Sequence, residues 1–304
     1  DLKERGEIQE HRLRCYRELS NLALDFVHCA KTYGRLIISE AETPVEHKTI
    51  PPTSIGGFAG GDKYIVNNIL FKFAVDSHNL FDCEEAAHKV AGHDLKGLIS
   101  YFNLGIADLH FPLMALVDYL GYRLIAISVL PIRNDSIVYG SSDAGVHIYN
   151  ESPALERKMR CSATLLNLKS HFVGLNSDEQ TKVHSAGDLE GHQVDDKFYL
   201  LDFSRSFPPC TYDTTKRNSY LYRLLRPEFV KNYSIPLCPD AYSGFVTENV
   251  QEHIEEVEEA TKYLTDVEIP KVAKNLDKLT DTQIDNLNLK EVLHENGINL
   301  RYMG

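Results

Sequence analysis

Three carboxylates and one guanidinium in a short stretch carry the most suggestive chemistry of this chain. They are Asp188, Glu190, Asp202 and Arg205, all within Lys182 to Pro209, KVHSAGDLEGHQVDDKFYLLDFSRSFPP. The run Phe198-Tyr199-Leu200-Leu201 reads as a buried strand ending at Asp202, and the segment before Asp195-Asp196-Lys197 reads as its partner. Turn-forming acids between two β-prone runs predict a hairpin. Such a hairpin brings Asp188 or Glu190 at one strand end near Asp202 at the other. Converging carboxylates repel unless a cation lies between them, and a divalent metal carrying phosphate, a lysine or Arg205 would serve. Glu190, His192 and Arg205 are the binding candidates of this stretch.

A wider set extends the chemistry to phosphoryl transfer. A Gly-rich segment, Gly56 to Gly61, precedes strands. Lys72 sits on a strand between Phe71 and Phe73, Glu84 or Glu85 opens a helix, and Asp188 and Asp202 follow. In protein kinases a Gly-rich loop covers phosphates, a strand lysine pairs with a helix glutamate, and an aspartate after a strand holds magnesium. By that order Lys72, Glu85, Asp188 and Asp202 are catalytic candidates. Asp202 and Gln193 would be metal ligands, and ATP and magnesium the cofactors. Against this stand a glycine run that does not match GxGxxG and the absence of His-Arg-Asp with a following Asn. Each part also has a plain structural reading, a solvent-facing lysine or an ordinary loop, and that reading expects no cofactor.

The remaining reactive residues point nowhere as sharply. His88 and His93 are five apart, which is not the i, i+4 spacing of a helical metal pair, while His110 and His192 stand at strand and turn positions. Ser141 to Gly145 reads as a turn. The six cysteines are scattered without CxxC or Cys/His ligand spacing, as expected of reduced thiols in a cytosolic protein.

The elements that must position these groups follow from periodicity. Leu13, Tyr16, Leu19, Ala23, Phe26 and Ala30 predict an amphipathic helix over residues 2–33, closed by Gly34, with Leu36-Ile37-Ile38 as a short strand. Tyr64 to Val75 predicts two strands, or one bent at Asn67-Asn68. Asp82 caps a helix that Gly92 and Gly97 would weaken or split. Pro112 to Tyr119 and Tyr122 to Leu130 form a hairpin about Leu120-Gly121, and Ser152-Pro153 starts another helix. After Pro209 the chain turns helical, with a long acidic helix from Asn249 whose glutamates form a solvated face. The fold class is α+β, with a mixed or antiparallel β-rich middle, flanking helices and a helical C-terminal third. It is distantly kinase-like under the catalytic alternative.

Composition narrows the partners. A formal net charge of −12 argues against a broad nucleic-acid or anionic-membrane footprint, which would need clustered Lys and Arg. No stretch approaches the ~20 apolar residues of a membrane span, so membrane insertion is not expected. The charged opening without an initiator Met suggests a part of a longer protein.

Several segments together resemble the Clu domain of the clustered-mitochondria family. They are Asn67 to Phe71, Val117 to Arg123, Val138 to Ser141, Asp188-Leu189-Glu190-Gly191, Tyr199 to Asp202 with Phe207-Pro208-Pro209, and Gly297 to Gly304. The resemblance runs in order from about residue 20 to the end, and GINxRYxG and LDxxRxFPP are its most specific parts. It implies a cytoplasmic protein concerned with mitochondrial distribution, associated with translation of messenger RNAs for mitochondrial proteins. It also implies a single Clu domain over 1–304, with an N-terminal helix 1–34, a β-rich lobe 35–150 and a hairpin and helical lobe 151–304. The expected role is a non-enzymatic interaction module. Its expected partners are other proteins or flanking domains of a longer chain, with RNA association only indirect. Asp202 and Arg205 match the family segment directly and form, in the plainest reading, an ion pair that fixes the hairpin.

Overall fold

A computed structural model describes residues 2–55, 61–174 and 180–303. The expected Gly-rich loop falls at residues 56–60, outside that range. In chain order the elements begin with α1 (Leu2–Ser39), β1 (Lys63–Val66), β2 (Ile69–Phe73), α2 (Glu84–Phe102), β3 (Leu109–His110), β4 (Met114–Tyr119) and β5 (Tyr122–Ser128). There follow β6 (Ile137–Gly140), β7 (Tyr149–Asn150), α3 (Pro153–Leu166), β8 (His171–Val173), β9 (Thr181–Val183), β10 (Glu190–Val194) and β11 (Lys197–Leu201). The C-terminal third holds α4 (Pro227–Asn232), α5 (Val250–Tyr263), α6 (Ile269–Leu276), α7 (Asp281–Asp285) and α8 (Leu289–Glu295). The architecture is α+β, as expected.

The chain forms two compact units, residues 1–78 with 112–130, and residues 79–111 with 131–304. They interleave in sequence, because α2 and β3 go to the second unit before β4 and β5 return to the first. A linear division at residues 34 and 150 does not contain that exchange.

In the first unit, α1 packs on an antiparallel sheet of order β1-β2-β5-β4. Phe26, Ala30, Ile37 and Ile38 of the helix meet Tyr64, Phe71, Phe73, Val117, Leu124 and Ala126 of the sheet. The helix therefore runs through Gly34 to Ser39, and the strand expected at Leu36-Ile37-Ile38 is its last helical stretch. Gly34 is a point of close approach, since a Cβ there would lie 3.1 Å from Val117 Cγ2. A helical glycine costs about 1 kcal/mol. Burying Ile37 and Ile38 returns roughly 1.5–3 kcal/mol each, so packing wins over propensity. The hairpin expected at Leu120-Gly121 (φ 47° and 84°) forms, and Tyr64 to Val75 resolves into two strands joined at Asn67-Asn68 (φ 51° and 58°), both on two-residue turns with left-handed backbones.

The second unit is built on a sheet of order β3-β11-β10-β6-β7, with β3 parallel to β11 and the other pairs antiparallel. The β10–β11 hairpin forms as expected, turning at Asp195 (φ 52°) with Val194 opposite Lys197 and Glu190 opposite Leu201. Contrary to expectation, α2 is one helix through Gly92 and Gly97. A Cβ on Gly97 would overlap the Phe203 carbonyl and come within 2.6 Å of Ser206 Oγ. Gly97 is thus where α2 presses against the turn after β11. No helix among the described residues is long and apolar enough to cross a membrane.

Candidate functional site

The strongest concentration of charge in the second unit surrounds Arg205. Strand β11 ends at Leu201, and Asp202, with its left-handed backbone (φ 61°), starts a tight reversal in which the Ser206 N–H donates to the Phe203 carbonyl at 3.1 Å. The Phe203 N–H donates to Asp94 Oδ1 on α2 at 3.0 Å, anchoring that reversal. Because Glu190 faces Leu201, the Asp188 turn lies at the same end of the hairpin. Arg205 then reaches back to it, with Nε donating to Asp188 Oδ2 at 2.6 Å.

A second carboxylate completes the arrangement. Arg205 Nη1 pairs with Asp240 Oδ1 at 3.0 Å, and the guanidinium carbon lies 4.7 Å from the centre of the Phe245 ring. Asp240 is fully buried and also accepts from the Gly187 N–H (2.7 Å), Ser243 Oγ (3.2 Å) and His171 Nε2 (2.8 Å). Burial works against its charge, but Arg205, then His171 and the Gly187 N–H, hold the carboxyl down at about 2. The other ring nitrogen of His171, Nδ1, faces the Lys169 carbonyl at 3.1 Å. With acceptors on both sides, both nitrogens must donate, so the ring is an imidazolium. Burial opposes that charge too, yet Cys238 and Asp240 raise His171 well above its ordinary value.

Two cations therefore face two carboxylates, although burial raises Asp188 above its usual value against the pull of Arg205. Asp188 Oδ1 and Arg205 Nη2 are buried there without hydrogen-bond partners among the described residues. The arrangement ties the Asp188 turn, the Arg205 turn, β8 and the Asp240 loop into one body. A second histidine network lies nearby in sequence. His184 joins Ser170 Oγ (2.6 Å) to Glu156 Oε1 (2.9 Å), a carboxylate that Arg160 also engages, and so ties α3 to the β8–β9 hairpin.

The other sequence candidates are dispersed. His192 is buried on β10, with Nδ1 2.9 Å from Ser136 Oγ and Nε2 3.1 Å from Glu190 Oε2. Gln193 is exposed and turns its amide toward the Asp195 carbonyl. It pairs with Phe198, about four strand positions and roughly 13 Å from Asp202. The proposed ligands thus sit at opposite ends of the hairpin. Lys72 lies on β2 in the first unit, opposite Lys63 and Ile125, on the face away from buried Phe71 and Phe73. Glu85 belongs to the second unit, in the first turn of α2, where its own backbone N–H and Cys83 hold its carboxyl below the usual value. No group of three or more metal-ligating side chains occurs among the described residues.

Sequence reasoning missed His171 and Asp240. Asp240 had one faint signal, a lone acid closing the Ile235–Asp240 segment with its two prolines, and His171 had none.

With that geometry in place, comparison with known proteins becomes informative. The family described as clustered mitochondria (CLU) matches residues 2–212. The chain belongs to this family. Among its relatives, the clustered mitochondria protein homolog of Dictyostelium discoideum is 23% identical over 387 residues, covering 99% of this chain and 28% of the relative. The clustered mitochondria protein of Arabidopsis thaliana is 25% identical, covering 95% of this chain and 29% of the relative. The human homolog is 32% identical over a shorter stretch, 48% of this chain and 12% of its own length. The chain thus spans less than a third of each of these relatives. No solved structure matches it.

Proposed function

We propose that this chain is a non-enzymatic, cytoplasmic interaction module of a clustered-mitochondria-type protein and serves mitochondrial distribution. Family membership supplies the theme, and one surface supports the interaction role. Helix α1 carries Leu13 (63% exposed), Tyr16 (70%), Leu24 (66%) and Val27 (50%) into solvent. These side chains continue a helix whose second half is docked on its own sheet. Apolar side chains left open along one helix suit another protein or a flanking part of a longer chain. The Arg205 cluster supports a structural rather than catalytic role for Asp188, since a carboxylate already paired with a guanidinium is a poor metal ligand. A role near translation of messenger RNAs for mitochondrial proteins fits indirect RNA association better than direct binding, given the net charge of −12.

The test replaces Leu13, Tyr16 and Leu24 together by Ser in the full-length protein, in cells lacking the endogenous copy. Mitochondria should cluster with the variant to the same extent as in control cells without the protein, while the variant remains folded and abundant. Normal mitochondrial spread would refute the role of this surface. Steady ATP turnover by the chain with magnesium, abolished by Asp202→Asn with the fold intact, would overturn the non-enzymatic part.

A further inference from the structure

A second group of cations in the same unit lacks the carboxylates that neutralise Arg205. Lys89, His93 and Lys96 recur along one side of α2 at helical spacing. That side packs along the segment Tyr222–Arg226. Lys89 Nζ lies 5.7 Å from the centre of the Tyr222 ring, and His93 Nε2 donates to the Tyr222 carbonyl at 3.0 Å. The C-terminal GINLRYM stretch reaches the same segment, with Asn299 Nδ2 donating to the Leu224 carbonyl (3.1 Å) and Arg301 Nη2 meeting that carbonyl (3.5 Å) and Cys210 Sγ (2.8 Å). Arg226 closes the segment with its side chain 9% exposed.

The donors left over define the site. Arg226 commits Nε and Nη2 to Glu228 (3.0 and 2.8 Å), leaving Nη1. The contacts of Arg301 run through Nη2, leaving Nε and Nη1. Lys96, half-buried and one turn after His93 on the same side of α2, makes no side-chain hydrogen bond or ion pair among the described residues. Among the described residues the acid whose charge acts on Lys96 is Glu228, and Arg226 already occupies it. We propose that Lys96, Arg226 and Arg301 form a binding site for a single phosphoryl group, a phosphate monoester dianion, with Lys89 and His93 at its edge. An ammonium and two guanidiniums along one segment supply the donor types that phosphoryl oxygens take. The strongly negative chain around them disfavours an extended polyanion, so a nucleic-acid backbone is not the expected ligand.

The charge balance supports the geometry. Burial, then Arg226 and Arg301, lower Lys96 to about 8, and Glu228 opposes them only in part. Burial, then Lys96, lower His93 to about 3, so its ring is neutral and its Nε2–H is committed to Tyr222. His294 on α8 is likewise lowered, by burial and then Arg226 and Lys96. A dianion would relieve this repulsion, and a phosphate monoester has its second pKa near about 6. Binding should therefore be strongest between about pH 6 and 8 and weaken as Lys96 deprotonates above it. The site is independent of the mitochondrial reading, and either can fail alone.

The experiment titrates the whole chain with inorganic phosphate at constant ionic strength, with chloride as control. Its lysines carry ¹³C-dimethyl labels, and the Lys96 signal is assigned by its loss in Lys96→Arg. On the wild-type fold, phosphate should move the Lys96 signal and raise its apparent pKa, and a phosphoserine peptide should do so at lower concentration if the natural source is a modified protein. A small phosphate ester competing as well as the peptide would assign the site to a metabolite. Lys96→Met and Arg301→Met should each weaken phosphate binding about tenfold or more, while Lys197→Met on the distant hairpin turn leaves it unchanged. An unmoved Lys96 signal, equal binding by wild type and both Met variants, or tighter binding of single-stranded RNA than of the phosphopeptide would each overturn the proposal.

Discussion

Arg205 and Lys96 sit in the same unit, each pressed into partly desolvated protein, yet their surroundings differ in one respect. Around Arg205 every charge is answered: Asp188 and Asp240 balance Arg205 and His171, and most of their polar atoms are hydrogen-bonded. Around Lys96 the neighbours are Arg226 and Arg301, and the single carboxylate is already engaged. A buried pair stripped of one partner is costly, whereas excess charge of one sign is a standing invitation to a counterion. Balance marks a fixture, and imbalance marks a place that a ligand can complete.

The largest expected effect tests the fixture. Asp240→Ala leaves Asp188 as the one carboxylate facing the buried Arg205 and strips His171 of its acid partner, and should cost about 3–5 kcal/mol in urea unfolding. Lys96→Met should leave stability unchanged or raise it by up to about 1 kcal/mol, because it removes repulsion. Similar losses from both variants would erase the distinction drawn between the clusters.

Next in size is the frame that holds both. Gly97→Ala drives a methyl into the Phe203 carbonyl where α2 meets the Arg205 turn, and should cost about 1–3 kcal/mol. A thermal midpoint equal to wild type would mean that this approach is not tight.

The pH dependence separates the clusters by sign. Asp240 is depressed from 3.8 to about 2, so its contribution is present above pH 4 and is lost as pH falls toward 2, worth about 2 kcal/mol. His171 is raised, so its contribution is present below about 6.5 and is lost as pH climbs through its elevated value. Lys96 is depressed from 10.5 to about 8, and its unfavourable charge is relieved as pH rises through that window. Urea melts from pH 2 to 10 should show acid weakening that Asp240→Asn reduces. Lys96→Met should remove only a gain on the alkaline side. Acid weakening that persists undiminished in the Asp240 variant would assign it to other carboxylates. The smallest effect belongs to Gln193→Ala, an exposed change expected within about 0.5 kcal/mol by thermal unfolding.

The hairpin under Arg205 was legible in the sequence because its alternation and its Asp195 turn are local signals, as were the Asn67-Asn68 and Leu120-Gly121 turns. Gly34 and Gly97 misled for a common reason. A glycine in a helical pattern reads as a stop, but here each is a missing side chain where another backbone or side chain comes close. The acidic helix α5 was placed correctly, yet Glu252 and Glu256 bind Lys169 (2.8 and 2.7 Å), so part of its face is not simply solvated. Arg205 was a named counter-charge, but its partners are Asp188 and Asp240, and Asp240 comes from a loop far along the chain.

The order of amino acids by itself determined the α+β class, the hairpins and the family, because each rests on neighbours within a few residues or on ordered motifs. Only the tertiary structure decided which charges meet. His171 and Asp240 are 69 residues apart, and His93 and Tyr222 are 129 apart. No periodicity links positions at such distances; burial against a shared core brings them together, and the desolvation it imposes gives each charge its consequence.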